Sequence, residues 1–550
     1  MKLVLRSFPE NYLEAAPPGD SSLYLIGSPF TDEGQLRVCS WYQRLVEGLD
    51  RSDEQFMEML QGVAGSVNFH FAMVIRKGDT WFLVSDIIRS RPLLYGDTGS
   101  GPFITDHLLD YRDAHGHAGF DPGRMEELVV FGNVTGHHTV YQGVYGLQAG
   151  EVVCLNGGHV RRVRYYRHVP PGEPMSYDSL DDITERFDRV FTRVFQRMFR
   201  DHPGVNRWVI PLSGGHDSRV IVNYLYRMGI KNVVCFTYGI PGNEQSVLSE
   251  KVAGAAGYPW HFVEYTDLKW KGLHDSGLLE RYLRFAFNGT STPHLQDLLA
   301  VHELKQKGIL ESGDVVVPGH GLDINAGYFL ERADLACDNM EDAVRRACLA
   351  QLNLKQCAHA VIGAVRDIYM EGQAPPQAFR EYLNWQERET KFIVNSLRVY
   401  DFLGFRCCVP FWDRELVDFC LALPPEDRFK RGLFLDAEMH GLLVDAIRQV
   451  PFVVDLGDKM EPLIKRMVKK VVPPGLMSRI VRLTGRGEVV NEGLHRIYTL
   501  QADSVEELLN PLRDFPPRVR RHFRHLRKRY TYQVDFHLLT ALYTLRKAIY

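Results

Sequence analysis

The stretch VIPLSGGHDSRVIV, from Val209 to Val222, sets two serines, two glycines and one acid between two apolar runs. Ser213, Gly214, Gly215, Asp217 and Ser218 are the residues there that could do chemistry. A strand that ends in such a turn and passes into a helix offers free backbone N–H groups and the positive end of the helix dipole. Both suit phosphate. Gly214 and Gly215 let the backbone approach with no Cβ in the way. The two serine hydroxyls add donors. Asp217 repels phosphate directly, and makes sense if it holds Mg2+ that bridges to the phosphates. The turn therefore reads as a pyrophosphate cradle with a metal. It is not a Walker loop, because the chain contains no GxxxxGK[ST]. A bare SGG is a common capping turn; the strand–SGGxDS–helix context makes it informative.

The elements that must position this turn follow from apolar spacing. SLDDITERFDRVFTRVFQRMF repeats apolar residues every three or four positions and predicts a helix, with Ser179 and Asp182 placed to cap it. RWVIPL reads as a strand, DSRVIVNYLYRMG as a helix, NVVCFTYG as a strand, NEQSVLSEKVAGAAG as a helix and WHFVEYT as a strand. This alternation predicts a parallel sheet with crossover helices, whose ligands bind beyond the carboxyl ends of the strands. From about Glu341 the chain reads as mostly helical. The first 170 or so residues have a different texture. FHFAMVIRKGDTWFLVSD is a hairpin pattern turning at Lys77-Gly78-Asp79, and GVYGLQAGEVVCLNGGHVRRVRYY another turning at Asn156-Gly157-Gly158. The proline-rich VPPGEPMSYDSLDD reads as the linker. A chain of 550 residues exceeds one compact core, and two domains are expected, 1–172 and 179–550.

Bulk composition excludes some classes. A formal net charge of -3 gives no global argument for nucleic acid binding. Nine cysteines are scattered without a CxxC pair, and the adjacent Cys407 and Cys408 are poorly placed for a disulfide. The first residues do not form a signal peptide, and no uninterrupted apolar run of 18 residues occurs. A cytoplasmic protein with reduced thiols is expected.

SGGxDS is the signature of the pyrophosphate-loop ATP pyrophosphatases, and the chain resembles their asparagine synthetase branch. The resemblance implies an α/β fold. An N-terminal degenerate glutaminase-like (Ntn) αββα sandwich would precede an adenine-nucleotide α-hydrolase-like parallel-sheet synthetase domain with a helical C-terminal part. It implies cofactors ATP and Mg2+, cleavage between the α and β phosphates, AMP placed on a carboxylate, and displacement by an amine. Leu212, Ser213, Gly214, Gly215, Asp217 and Ser218 would cradle the phosphates, and Phe236, Thr237, Tyr238 and Gly239 would line the adenine pocket. VVVPGHGLDINAGY is similar to the family's second loop, GEGxDE followed by GGY. Gly319 belongs to it, and Asp323 matches the second metal-binding acid. His320 stands where the family has Glu, and Ile324 where it has a second Glu. GFRCCVPFWD resembles GxEARxPFLD, with Arg406 replacing the Glu and Cys408 the Arg.

Further residues are candidates for the chemistry. His320 could bond the carboxylate or ribose and shuttle a proton when the amine attacks. Lys430, Lys459 and Lys465 are unranked candidates for the cation at the transferring phosphorus, and Arg406 joins the catalytic set. Arg388, Lys391, Asn395 and Arg398 fall near i, i+3, i+7 and i+10, one face of a helix. Directed at the cleft, that face would suit an acidic sugar; an exposed face explains the spacing equally well. PGHGLD and NWQERETKFIVNSLRVYDFLGFRCCVPFWD look most like a sub-branch found with bacterial cell-surface polysaccharide genes. Its members convert sugar uronates to uronamides. The partners so implied are a carboxylated sugar, ammonia or an amine, and a second copy of the chain.

In the first domain, glutamine-dependent members begin Met-Cys, whereas Lys2 follows Met1 here and the first cysteine is Cys39. The nucleophile is absent from its place. Yet GSVNFHFAMVIRKGDTWFLVSDIIRSRPLLYG resembles the glutaminase sandwich, with DIIRSRPLLY in place of DriGxrPLyY. A degenerate domain that does not hydrolyse glutamine is expected. The basic stretches Leu463–Gly487 and Arg518–Tyr532 suit either a peripheral membrane contact or a solvated helical face. The favoured reading is an amide ligase on a sugar uronate. The alternatives are asparagine synthase itself, a ring-closing synthetase of the β-lactam or lasso-peptide type, and a non-enzymatic partner subunit. Sulfur transfer to tRNA lacks its CxxC pair.

Overall fold

The computed structural model describes residues 1–452, apart from 6–11, 16–19, 28–29, 32–33, 36–37, 69, 98–100, 116–118 and 352–358. In the first half, a six-stranded antiparallel sheet runs in the order His159–Arg164, Glu151–Asn156, Thr80–Ser85, Phe71–Lys77, Ser21–Gly27, Tyr12–Ala15. A four-stranded sheet has the order Lys2–Val4, Pro102–Thr105, Leu94–Asp97, Val144–Gly146. The strand Phe71–Lys77 shows why they stack. Phe71, Met73 and Ile75 pack with Phe56, Met57 and Leu60 of the helix Asp53–Gly65. Ala72 and Val74, on the other face, pack with Leu93, Tyr95 and Ile104 of the second sheet. A period of two with both faces apolar buries the strand on both sides. Both expected hairpins form. Gly157 (φ 53°) and Gly158 (φ 86°) supply the two left-handed residues that a two-residue turn of this hand requires.

The second half holds a five-stranded, all-parallel sheet, in the order Trp260–Glu264, Val233–Gly239, Trp208–Pro211, Val315–Val316, Arg406–Cys407. Both its faces are covered, as parallel sheets require. Trp208 and Ile210 face the helix Leu180–Asp201, whose stripe Phe187, Phe191, Val194, Phe195 and Met198 is buried. Val209, Phe236 and Val316 face the other core. The Ser179 hydroxyl caps that long helix by accepting from Asp182 N–H at 3.2 Å. Among the described residues the cysteines are free thiols, and Cys407 and Cys408 are buried. No described helix is long and apolar enough to cross a membrane.

Candidate active site

The strand Trp208–Pro211 is separated from the helix Asp217–Arg227 by five residues, 212–216. The turn between them is held by its own side chains. Ser213 N–H donates to Ser218 Oγ at 3.0 Å, and Gly215 N–H to Ser213 Oγ at 3.2 Å. Gly214 N–H donates to Gln245 Oε1 at 2.7 Å, the kind of acceptor that a phosphate oxygen replaces. His216 occupies the N-cap position without a capping bond. Its Nδ1 instead lies 2.5 Å from Glu438 Oε2, and its ring stacks on Phe452. Arg219, in the first turn of the helix, donates to Val450 O and Pro451 O and lies over the same Phe452 ring.

The second loop, Pro318–Asp323, reaches the same helix end. A Cβ on Gly319 would stand 2.9 Å from Ser218 N and 3.1 Å from Asp217 Cβ, so the close approach requires glycine. That contact brings the two acids together. Burial pushes the Asp217 carboxyl well above the usual range, and the Asp323 charge pushes it further. Arg431 works in the opposite direction, and Glu438 adds to the rise. Arg431 also pairs directly with Asp323. Gly319→Ala should therefore force the loop off the helix. Overpacking of this kind costs about 1–3 kcal/mol, and a misplacement of about 1 Å lowers turnover on the order of a hundredfold. Parallel thermal melts and ATP-turnover assays check both; unchanged turnover would show that the contact is dispensable.

Lys430 (φ 53°) and Arg431 (φ 66°) are consecutive left-handed residues, a conformation that strains any side chain with a Cβ. Lys430 Nζ donates to Glu331 Oε1 at 2.6 Å rather than to the acid pair. Both cations lie over the Tyr328 ring, at 5.6 and 4.8 Å from its centroid. Arg431 is the cation at the acid pair, and the sequence reading did not name it. The signal available was its place beside Lys430 ahead of Gly432. Gln245, Glu438 and Glu389 were missed too. Glu389 is buried, and its carboxyl is raised to about 7 by burial, offset by Arg388 and reinforced by Asp323.

The remaining expected residues are placed as follows. Phe236 is fully buried in the core, so only its backbone faces the strand end. The Thr237 hydroxyl bonds Leu212 O and lies 2.7 Å from Ser249 Oγ, and Tyr238 OH donates to Asp297 at 2.6 Å. Gly239 closes the strand at φ 125°. His320 sits in the second loop with Nε2 2.9 Å from Ser396 Oγ. Burial holds its imidazole below the ordinary value, partly offset by Asp297. Arg406 is not brought to the acid pair. It registers with Val315, itself opposite Trp208, at the amino end of the sheet, and its charge is felt by His202.

The expected cationic face also comes apart. Residues Asn384–Ile393 wind as a π-helix, so α-helical spacing no longer selects one side. Arg388 stays half-exposed over Phe329. Lys391 is wholly buried against the first half, Asn395 donates to Ala286 O at 3.4 Å, and Arg398 pairs with Asp401 over the Phe285 ring. Lys459, Lys465 and both basic stretches lie outside the described residues.

Asp217 and Asp323 are the residues that could hold Mg2+. Among the described residues no group of three or more Asp, Glu, His or Cys could do so alone. Mg2+ is commonly bound by one or two carboxylates together with substrate phosphates, and two mutually repelling acids beside a glycine turn fit that donor set.

No curated protein sequence matches the chain. Among solved structures, an allosteric regulatory enzyme of purine biosynthesis is 12% identical, with 46% of this chain and 61% of that chain covered at a TM-score of 0.20. A glutamine phosphoribosylpyrophosphate amidotransferase from B. subtilis is 13% identical, covering 56% and 57% at a TM-score of 0.17. An NH3-dependent NAD synthetase from Campylobacter jejuni is 13% identical, covering 36% and 85% at 0.19. The chain thus spans about six-tenths of the first two, and none of the three carries an argument about activity. Just under half of the chain, residues 207–479, matches the asparagine synthase family model. The glycine turn, Asp217, Gly319 and Asp323 all lie inside the matched stretch.

Proposed function

We propose that the chain is an amide-forming ligase that adenylates the carboxylate of a sugar uronate in cell-surface polysaccharide synthesis and passes the acyl group to ammonia or an amine. AMP and pyrophosphate are released. Its partners are that sugar, the amine and a second copy of the chain, and its compartment is the cytoplasm. The observation that supports this reading is the meeting of Asp217 and Asp323 across the Gly319 contact.

A carboxylate repels amines and has no good leaving group. In the first step a carboxylate oxygen attacks the α-phosphorus, the Pα–O bond to the β-phosphate breaks, and pyrophosphate leaves with the electron pair. Mg2+ held by Asp217 and Asp323 would neutralise the leaving charge. The Gly214 and Gly215 backbone orients the phosphates, and holding carboxylate and phosphorus in line lowers the barrier further. Among the described residues, Arg431 is paired with Asp323. In the second step the amine nitrogen attacks the acyl carbon, AMP departs with its electron pair, and the amine loses a proton. His320, kept neutral near pH 7 by burial, can accept it.

One observation favours a second reading. Lys391, Asn395 and Arg398 are committed elsewhere, so only Arg388 of the four remains for an acidic acceptor. A ring-closing synthetase, whose nucleophile belongs to the substrate itself, needs no such face. Incubation with ATP, Mg2+ and a panel of uronate-bearing sugars, with and without ammonium, tests both. AMP that depends on one sugar, and amide that depends on ammonium, is expected. AMP with no uronate in the panel would remove the sugar acceptor, and product formed without ammonium would favour ring closure.

A further inference from the structure

The two sides of the π-helix Asn384–Ile393 meet different parts of the molecule. One side is bound by the first half. Trp385 Nε1 donates to Ile87 O at 2.9 Å, and Arg164 Nη2 donates to Gln386 Oε1 at 3.0 Å. Gly136 N–H donates to Glu387 Oε2 at 3.2 Å. Lys391 Nζ donates to Val134 O and Gly136 O, both at 2.7 Å, and to Glu387 at 2.8 Å. All three of its ammonium donors are used, and the side chain has no exposed surface.

The other side faces the acid site. Arg388 lies over Phe329, which follows the Asp323 loop, and donates to Glu389 Oε1 at 2.6 Å. Glu389 is close enough to Asp323 to feel its charge. Ser396, three residues beyond the π-helix, holds His320. A π-helix is rare, occurs mostly as a single turn, and is found frequently at functional sites. A ten-residue run needs something outside itself to hold it. The first half supplies bonds at residues 385, 386, 387 and 391, spread along the run.

We propose that the first half acts as a clamp on this π-helix, and that Glu387 and Lys391 are positioning residues that set His320 and the Asp323 loop through it. The inference rests on the reading of that loop as part of the active site. The clamp is rigid because its charges are buried and paired. Removing one partner would strand the other, which is strongly destabilising. The test therefore removes both charges together.

Amide hydrogen exchange, read by mass spectrometry on the full chain, compares the wild type with the double variant Glu387→Gln, Lys391→Met. Exchange in 384–396 and in the loop 317–323 is expected to rise about tenfold. Exchange in 213–217 should not change, because Ser218 and Gln245 of its own domain hold that turn. Faster exchange confined to 134–136 and 384–391, with 317–323 unaltered, would overturn the proposal. Should the double variant not fold, Trp385→Phe removes the bond to Ile87 O and part of the ring packing on Tyr166, His168 and Tyr382 while leaving the buried charges paired, and the same pattern at smaller amplitude is expected. Pyrophosphate release gives an independent reading: kcat should fall while the KM for ATP stays constant. If the wild type releases none, the ligase reading fails while the exchange result still decides the clamp.

Discussion

Asp217→Asn is expected to abolish pyrophosphate release from ATP, by about a thousandfold or more, and at the same time to raise the thermal midpoint. The two effects have one cause. Burial disfavours the Asp217 carboxylate, and the Asp323 and Glu438 charges add to the effect, so its carboxyl is pushed well above the ordinary range. A folded-state value above the unfolded one means that the charged form costs stability at neutral pH, a cost absent below the unfolded value and incurred as pH rises through the folded one. Asparagine has nearly the same shape and no charge, so the variant avoids that cost. It also removes half of the carboxylate pair that would hold the bridging cation. Activity bought at the expense of stability is common where a site concentrates like charge. Pyrophosphate release and differential scanning calorimetry on the same preparations check both halves. Turnover within threefold of wild type, or a large drop in the midpoint, would remove Asp217 from its role.

His168→Phe is expected to protect the fold against acid. His168 is fully buried, its ring stacked on Trp385, and its imidazole is held down to about 3 by burial, with Arg428 adding to the effect. The ordinary value is 6.5. A base whose folded value is depressed stabilises above the unfolded value, and that stability drains away as pH falls toward the folded one. From pH 6.5 down to about 3, wild type should thus lose ground to the variant at about 1.4 kcal/mol per pH unit. His70, also held to about 3, adds a parallel loss in both proteins. Glu389, raised to about 7, works in the opposite sense as it takes up its proton. The difference between variant and wild type isolates one imidazole from these. Urea unfolding at intervals from pH 7.5 to 4.5 measures it. A difference that does not change with pH would mean that His168 can be protonated without disturbing its surroundings.

The parallel sheet and its glycine turn were legible because local signals agreed. VIPL is apolar on both faces, SGG cannot continue a strand, and the residues after Asp217 recur at helical spacing. Gly319 and Asp323 were reached through the resemblance of VVVPGHGLDINAGY to the family's second loop, not through spacing. What could not be read was geometry that depends on winding. Arg388, Lys391, Asn395 and Arg398 share a face only if 384–398 is α-helical throughout, whereas 384–393 winds as a π-helix bonded to distant residues of the first half. Lys430 and Arg431 are neighbours with the same charge, and only the left-handed backbone decides that Arg431 meets Asp323 while Lys430 turns to Glu331. Glu438 carried no signal at all: it is one acid in a helical run, and its partner His216 lies in a distant segment.

The order of the parallel strands has a consequence for the chain while it is being made. Trp208–Pro211 pairs on one side with Val233–Gly239, which leaves the ribosome soon after it, and on the other with Val315–Val316, which does not. At ordinary rates of synthesis the second neighbour arrives roughly 4 to 15 s after the first. For that interval the central strand is a bare, apolar edge open to pairing with another nascent chain. Chaperone dependence during translation should therefore concentrate in this window, and the glycine turn after the central strand exists before Asp323 has been made.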